Sequence, residues 1–308
     1  MPEHPYSYHP FFDDGAEQPM RRLVDHGTEA ADRSLDDCYV FNDTIRLRLN
    51  LALATGRPLL VRGPSGVGKS SLARAVKAKA GWNYIGRTVG TRTQAQDLLY
   101  EVDHLRRLQD AQAKRLFRSE AHYLRPGPLF WAFDAEQAAA LPRKGDQPAG
   151  LTVGAPWVVL IDEIDKADPD VPNNLLGPLG NLEFPVPELS KVIRAKTDRV
   201  PLVILTTNEE RDLPPAFLRR CVELVIASPG KPELVAIAAL HRLGNGQSDL
   251  EELADYYLAY LAAVPSEQSG ANAAEFLDFV RAWRRMELTG DAATRTAVLE
   301  AISGGKVT

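Results

Sequence analysis

The sequence predicts an α/β fold in which a parallel β-sheet is covered by helices and followed by a small α-helical domain. Up to residue 228, short apolar segments typical of buried strands alternate with helical segments, which is the pattern of parallel βαβ units. From 233 to 302, Ala and Leu recur with helical periodicity and without a strand-like segment. We therefore predict an N-terminal extension at 1–35, an α/β domain at 36–228 and a helical domain at 229–308.

Each predicted element has a local signal. Asn42 can cap the N-terminus of a first helix, and Gly56 is a residue at which that helix can end. From Leu99 to Leu108 apolar residues recur every three positions, which predicts a helix over 92–119. The predicted strands are 59–61, 82–89, 157–161, 200–206 and 222–226, and a further helix is predicted at 70–80.

Composition limits the classes of function. The chain carries 36 Lys and Arg against 41 Asp and Glu, and this net charge of -5 argues against a protein whose main task is to coat nucleic acid. Cys38 and Cys221 are far apart and lack metal-ligand spacing, so we expect two reduced thiols. The N-terminus does not resemble a signal peptide, and no apolar run is long enough to span a membrane. We expect a cytoplasmic protein without a membrane partner.

A glycine-rich segment matches the phosphate-binding pattern G-x-x-x-x-G-K-[ST] at every fixed position. Its glycines let successive backbone N–H groups curl around a triphosphate, and the helix that follows presents its positive N-terminus. Lys69 is expected to reach the β- and γ-phosphates, and the Ser70 hydroxyl to ligate Mg²⁺. The alternative, a strand-to-helix turn without a ligand, is disfavoured by the flanking strand and helix. The candidate binding residues are Gly63, Pro64, Ser65, Gly66, Val67, Gly68, Lys69 and Ser70.

Two acidic residues, Asp162 and Glu163, end the apolar strand predicted at 157–161. Ligands of open α/β sheets bind at the carboxyl ends of parallel strands, so these side chains lie where a nucleotide would. We predict that Asp162 holds Mg²⁺ together with Ser70, and that Glu163 orients and activates the attacking water.

Four motifs in this order resemble those of AAA+ ATPases, and within them the MoxR-like group. They are the loop at 63–70, Leu-Ile-Asp-Glu-Ile-Asp-Lys-Ala at 160–167, Leu-Thr-Thr-Asn at 205–208 and Leu-Pro-Pro-Ala-Phe-Leu-Arg-Arg-Cys at 213–221. Asp97-Leu98-Leu99 and Arg125-Pro126-Gly127-Pro128-Leu129 are also similar to segments of MoxR-like proteins. The resemblance covers residues 36–228 well, and it implies a P-loop NTPase sheet followed by a helical lid.

The resemblance also implies roles for later residues. Asn208 looks like sensor 1, which positions the attacking water, and Arg220 like the arginine finger that reaches the nucleotide of a neighbouring subunit; the adjacent Arg219 stays open as the alternative. The sequence departs from the group at the lid, where Ala274 stands at the position of the sensor 2 arginine. Residues 92–150 form an insertion whose basic stretch, Arg106 to Arg118, is either a pore-facing element or a solvated helix face.

The favoured function is thus a Mg²⁺-dependent ATPase that forms a homo-oligomeric, hexameric ring and remodels a separate protein client. The resemblance implies a client with a von Willebrand A domain, and it alone favours ATP over GTP. Two alternatives stay open: a nucleotide-binding assembly switch with little turnover, and a nucleic-acid-directed motor. The net acidity and the lack of a basic groove interleaved with aromatic residues argue against the motor.

Overall fold

The computed structural model describes residues 38–115, 119–142, 148, 150–243, 246–263, 270–285 and 292–303. The predicted N-terminal extension and Arg118 lie outside the described residues. The described chain divides into two compact units. The first contains Asp43–Arg62 and Val76–Leu224, and the second contains 38–42, Gly63–Ala75 and the segments after Leu224. The glycine-rich loop thus groups with the C-terminal helices.

The described residues form the following strands and α-helices, numbered in chain order. The strands are β1 (Leu59–Arg62), β2 (Asn83–Thr88), β3 (Tyr100–Val102), β4 (Leu124–Pro126), β5 (Trp157–Asp162), β6 (Glu183–Val186), β7 (Lys191–Arg194), β8 (Leu202–Thr207) and β9 (Val222–Val225). The helices are α1 (Asp43–Thr55), α2 (Lys69–Ala80), α3 (Ala95–Leu99), α4 (His104–Gln112), α5 (Pro128–Phe133), α6 (Ala135–Ala140), α7 (Asp170–Asn181), α8 (Pro215–Leu218), α9 (Lys231–Leu240), α10 (Gln247–Ala263), α11 (Ala273–Arg285) and α12 (Ala292–Ile302).

A five-stranded sheet organises the first unit, in the order β2-β5-β8-β1-β9. The pairs β2–β5, β5–β8 and β1–β8 are parallel, so these strands deliver their carboxyl ends to one edge. Every residue of β8 is buried, as are the first five of β5, because both faces of the central strands are covered. The predicted P-loop NTPase fold class is confirmed, and all five strands predicted from the sequence belong to this sheet.

The predicted continuous helix over 92–119 is wrong. α3 ends at Leu99, the chain extends as β3 against β4, and α4 then starts anew because the Asp103 carboxylate accepts the Arg106 N–H at 3.0 Å. A three-residue spacing advances about 300° around a helix, so it drifts by about 60° per step and never defines one buried face. Leu105 and Leu108 are accordingly 67% and 56% exposed on α4.

A second antiparallel pair of strands, β6 and β7, was not predicted from the sequence. It pairs Phe184 with Ile193, and both side chains are buried in the core beside Phe130. Pro185 lies within β6, and a proline in so short an apolar run conceals a strand in the sequence pattern.

The second unit contains the predicted helical domain. α9, α10, α11 and α12 pack around fully buried side chains that include Leu234, Tyr257, Phe276 and Leu299. The Cys38 thiol donates to the Leu240 carbonyl at 3.3 Å. Cys38 and Cys221 are both buried and are not joined in a disulfide, and burial raises the pKa of the Cys221 thiol to about 12.

None of the helices that the structure describes combines the length and the apolar character needed to cross a bilayer.

Candidate active site

The glycine-rich loop between β1 and α2 requires glycine for steric reasons. Gly63, Gly66 and Gly68 have φ angles of +143°, +77° and +94°, in the region that residues with a Cβ rarely adopt. A Cβ at Gly63 would lie 2.1 Å from the Ile226 carbonyl oxygen, and one at Gly66 would overlap the Asn272 side chain. The loop conformation therefore depends on glycine at both positions.

Lys69, the first residue of α2, folds back into this loop. Its side chain is buried, with 6% of the residue exposed, and Nζ donates to the carbonyls of Gly63 at 2.7 Å and Pro64 at 2.6 Å. A buried ammonium needs acceptors around it, and these two dipoles supply them. Phosphate oxygens are acceptors of the same kind as these carbonyls, so the same ammonium can serve a bound phosphate.

The acidic residues predicted from the sequence lie at the carboxyl end of β5, where one hydroxyl connects them. Thr206 Oγ1 donates to Asp162 Oδ1 at 2.5 Å and accepts the Glu163 backbone N–H at 2.9 Å. Thr206 is 1% exposed and lies on the neighbouring strand β8. The hydroxyl thus fixes both the Asp162 carboxylate and the backbone from which the Glu163 side chain projects.

Glu163 adopts a left-handed conformation, with φ 60° and ψ 48°. A non-glycine residue in this region costs of the order of 1–3 kcal/mol and persists only where its surroundings impose it. Its Oε1 accepts from Asn208 Nδ2 at 3.3 Å and from Lys166 Nζ at 3.0 Å. The structure therefore places the side chains of Glu163 and Asn208 in contact and connects Asp162 to them through Thr206.

Two residues that sequence reasoning missed also shape this cluster. The Glu163 carboxylate holds the pKa of Lys166 above its usual range, through a hydrogen bond first and its charge second. Asp165 is buried and its Oδ2 accepts the Glu210 backbone N–H at 3.0 Å, which fastens the loop that follows Asn208. Both residues belong to the motif at 160–167. The contact of Lys166 with Glu163 is local, whereas the contact of Asp165 with Glu210 joins positions 45 residues apart and leaves no trace in the local sequence.

The two candidate finger arginines follow α8 and are both exposed. Arg219 Nε donates to the Pro215 carbonyl of its own turn at 3.3 Å. Their backbone is fixed by Arg57, which donates to the carbonyls of Arg219 and Arg220. The choice between Arg219 and Arg220 as an arginine finger therefore stays a prediction.

The donor set predicted for Mg²⁺ suits that ion. Asp162 and Ser70 supply hard oxygen atoms, and within the described ranges no group of three or more His, Cys, Asp or Glu side chains is placed to form a metal cage. Mg²⁺ commonly keeps several waters and binds through one or two protein oxygens together with substrate phosphates. The hydroxyl of Ser70 and the carboxylate of Asp162 are therefore each the kind of oxygen donor that Mg²⁺ takes.

Residues 58–221 match the AAA domain family, dynein-related subfamily. This span is more than half of the 308 residues and contains the loop, both acidic residues, Asn208 and both candidate fingers. The chain belongs to this AAA family. The matched residues include four of the five strands of the main sheet. The fifth strand, β9, begins at Val222, one residue after the match ends.

Solved structures are similar to this AAA chain at low identity. A protein from Cytophaga hutchinsonii with a provisional assignment as an ATPase is 15% identical over 71% of this chain, with a TM-score of 0.42. This chain spans 61% of that protein's length. A mutant of RuvB from Thermotoga maritima is 13% identical, with 86% of this chain and 70% of that one covered and a TM-score of 0.47. No curated protein matches this chain.

Proposed function

We propose that this chain is a Mg²⁺-dependent ATPase of the MoxR-like type, which forms a ring and uses ATP hydrolysis to remodel or assemble a partner protein complex. The observation that carries the proposal is the arrangement of Glu163. Its carboxylate is oriented by the Asn208 amide and the Lys166 ammonium, and its backbone shares the Thr206 hydroxyl with Asp162. A carboxylate held in a fixed orientation beside a second acidic residue can activate a water at a triphosphate.

In the proposed reaction, water attacks the γ-phosphorus of ATP. Asn208 and Lys166 both contact Oε1 of Glu163, so we assign Oε2 as the base that accepts the water proton. The bond between the γ-phosphorus and the bridging oxygen breaks, and ADP and phosphate leave. Lys69 offsets charge on the β- and γ-phosphates. Ser70 and Asp162 are the candidate ligands of Mg²⁺, which would supply further positive charge to the phosphate oxygens.

The assignment to the MoxR-like group is supported by a close contact between two segments that resemble that group. Gly127 N donates to the Leu99 carbonyl at 2.9 Å, and a Cβ on Gly127 would lie 2.6 Å from the Asp97 carbonyl oxygen. The glycine of Arg125-Pro126-Gly127-Pro128 therefore packs directly on the backbone of Asp97-Leu98-Leu99. The two similarities belong to one packed feature of the insertion.

A protein client is favoured over nucleic acid by the surface of α4. Leu105 and Leu108 are exposed on this helix, which buries none of its residues. Its arginines are partly neutralised: Arg106 pairs with Asp110 at 3.6 Å, and Arg107 pairs with Glu120. Single-stranded nucleic acid is bound by basic grooves with stacking aromatics. Apolar side chains between paired charges are better suited to a protein surface.

The ring is tested by complementation between two inactive variants. Arg220→Ala should bind nucleotide but hydrolyse it at least about tenfold more slowly, since an arginine finger contributes about 10³–10⁵ in related phosphoryl transfers. Mixing Arg220→Ala with Lys69→Ala should restore part of the activity, because some interfaces then join an intact loop to an intact finger. Arg219→Ala, whose Nε contacts its own turn, is the matched control and should lose less activity.

Sedimentation with Mg²⁺ and a non-hydrolysable ATP analogue should show a shift of the wild type to a larger species. Monomeric wild-type protein whose ATPase activity is independent of concentration would contradict both the ring and the finger in trans. A client with a von Willebrand A domain is the partner that the family resemblance favours.

Removal of the Thr206 hydroxyl should slow hydrolysis while nucleotide still binds. Thr206→Val preserves the shape of the side chain but leaves the Glu163 N–H without its acceptor, so turnover should fall at least about tenfold. Thr206→Ser keeps the hydroxyl and should stay within about threefold of the wild type. Turnover and nucleotide affinity, measured beside thermal unfolding, check this; equal rates for Thr206→Val and the wild type would refute the role of the hydroxyl.

A further inference from the structure

The first turn of α11 touches the phosphate-binding loop within the second unit. The Ala274 N–H donates to the Gly66 carbonyl at 3.2 Å. Asn272 precedes this turn, and its Oδ1 accepts the backbone N–H groups of Ala274 at 2.9 Å and Glu275 at 3.2 Å. Asn272 is thus the cap of α11, and the helix that it caps is hydrogen-bonded to the loop.

The Asn272 side chain also lies against Gly66 without a gap. A Cβ built on Gly66 would be 2.1 Å from Oδ1, 2.3 Å from Nδ2 and 2.4 Å from Cγ of Asn272. The amide therefore occupies the space that a side chain at position 66 would need. Close-packed contacts of this kind transmit small displacements, because neither side can move without the other.

Asn272 is held on its other side by the core of the helical domain. Its backbone N–H donates to Tyr257 Oη at 3.0 Å, and that hydroxyl donates to the Asn272 carbonyl at 3.2 Å. Tyr257 is fully buried, and burial holds its pKa above the usual range, so the phenol keeps its proton. Contacts therefore run without interruption from Gly66 through Asn272 to the centre of the domain.

The family resemblance places Ala274 where other members carry the sensor 2 arginine. The first turn of α11 therefore offers no arginine side chain to a nucleotide. The arginines further along α11 have other partners. Arg281 pairs with Asp278 at 2.9 Å, and Arg284 Nη1 donates to the Arg242 carbonyl at 3.0 Å.

We propose that Asn272 is a positioning residue that couples the helical lid to the phosphate-binding loop through a neutral contact. This proposal rests on the proposed function, since a triphosphate in the loop is what changes the loop. Lys69 Nζ donates to the carbonyls of Gly63 and Pro64 in this structure. When phosphate oxygens take their place, we expect the loop backbone to adjust at Gly66. The Ala274 N–H and the Asn272 amide carry that adjustment into α11.

Hydrogen exchange of the backbone amides of α11 tests the coupling. In the wild type, saturation with a non-hydrolysable ATP analogue and Mg²⁺ should change exchange in the first turn of α11 about fivefold or more. Asn272→Ser retains a hydroxyl that can cap the helix but removes the amide over Gly66. The Ala274 hydrogen bond to Gly66 remains, so the response should fall at least about twofold while affinity for the analogue stays within about threefold. Asn272→Asp has nearly the same shape and also caps the helix, but it loses the donor to Glu275 and adds a negative charge beside the loop, so it should keep the response at saturation with a weaker affinity for the analogue.

Glu275→Gln is the matched control from the same turn. Glu275 Oε1 accepts from Asn272 Nδ2 at 3.4 Å, and the amide oxygen of the substituted side chain can accept the same hydrogen bond, so the contact of Asn272 with Gly66 should remain. It should respond like the wild type, and thermal unfolding should show that all four proteins are folded. An undiminished nucleotide response in folded Asn272→Ser, or a wild type that binds the analogue without any change in α11, overturns the coupling alone. A wild type that binds no nucleotide overturns the proposed function and the coupling with it.

Discussion

Lys69→Ala should lose tight nucleotide binding, with an affinity for ATP at least about 100-fold below that of the wild type. The Lys69 ammonium is the buried cation of the loop and is already held at its centre by two carbonyls. A charge-assisted contact in a partly desolvated site contributes about 1.5–3 kcal/mol per hydrogen bond, and phosphate oxygens would receive more than one from this group. Loss of this ammonium should therefore reduce almost solely the free energy of nucleotide binding.

Thermal unfolding with and without nucleotide measures this effect. A ligand at about 100 times its Kd stabilises a protein by about 2.7 kcal/mol, so the wild type should melt at a higher temperature with ATP and Mg²⁺ present. Lys69→Ala should show no such increase. Lys79→Ala removes an exposed lysine from the last turn of the same helix and should behave like the wild type. An equal increase for Lys69→Ala and Lys79→Ala would show that Lys69 does not contact the phosphates.

The sequence was sufficient to predict the features that depend on residues close together along the chain. The loop at 63–70 could be predicted because glycine, lysine and serine stand at fixed spacings between a strand and a helix. Asp162 and Glu163 could be predicted because an apolar run ends in two acids. β5 and β8 have continuous apolar sequences because both of their faces are buried, and such runs are readily recognised.

The sequence did not predict contacts between residues that are far apart along the chain. Thr206 lies within the motif at 205–208, but its hydroxyl acquires its role only because β8 lies beside β5 and places it against Asp162. Asp165 accepts the backbone N–H of Glu210, which is 45 positions away along the chain. The contact of Asn272 with Gly66 joins positions more than two hundred residues apart. None of these contacts is encoded by periodicity or spacing.

The insertion shows how a pattern can mislead even over a short range. The apolar residues from Leu99 to Leu108 suggested one helix, although Tyr100 and Val102 are aromatic or β-branched and favour extended pairing with β4. Asp103 then restarts the helix as its cap. Strand propensity and capping together outweighed a three-residue repeat that fits no helical face.

Glu163→Gln should bind ATP as the wild type does and hydrolyse it at least about 100-fold more slowly, because the carboxamide cannot accept the water proton. The substituted side chain keeps an oxygen that can accept from Lys166 and Asn208, so the geometry around it should persist. The expected result is a protein that stays loaded with ATP. Such a variant should retain its client, and affinity capture with the wild type in parallel would identify proteins enriched by the ATP-bound form.

Two control variants separate the base from its surroundings. Lys166→Met removes the ammonium at 3.0 Å from Glu163 but leaves the carboxylate, so it should reduce turnover less than Glu163→Gln does. Glu210→Gln alters the more distant partner of Lys166, at 3.7 Å, and should change turnover by less than about twofold, since exposed ion pairs contribute little. If Glu163→Gln turned over ATP at the rate of Glu210→Gln, the water would be activated by another group and the proposed mechanism would fail. If instead it lost binding to the same extent as Lys69→Ala, Glu163 would serve the nucleotide and not the water.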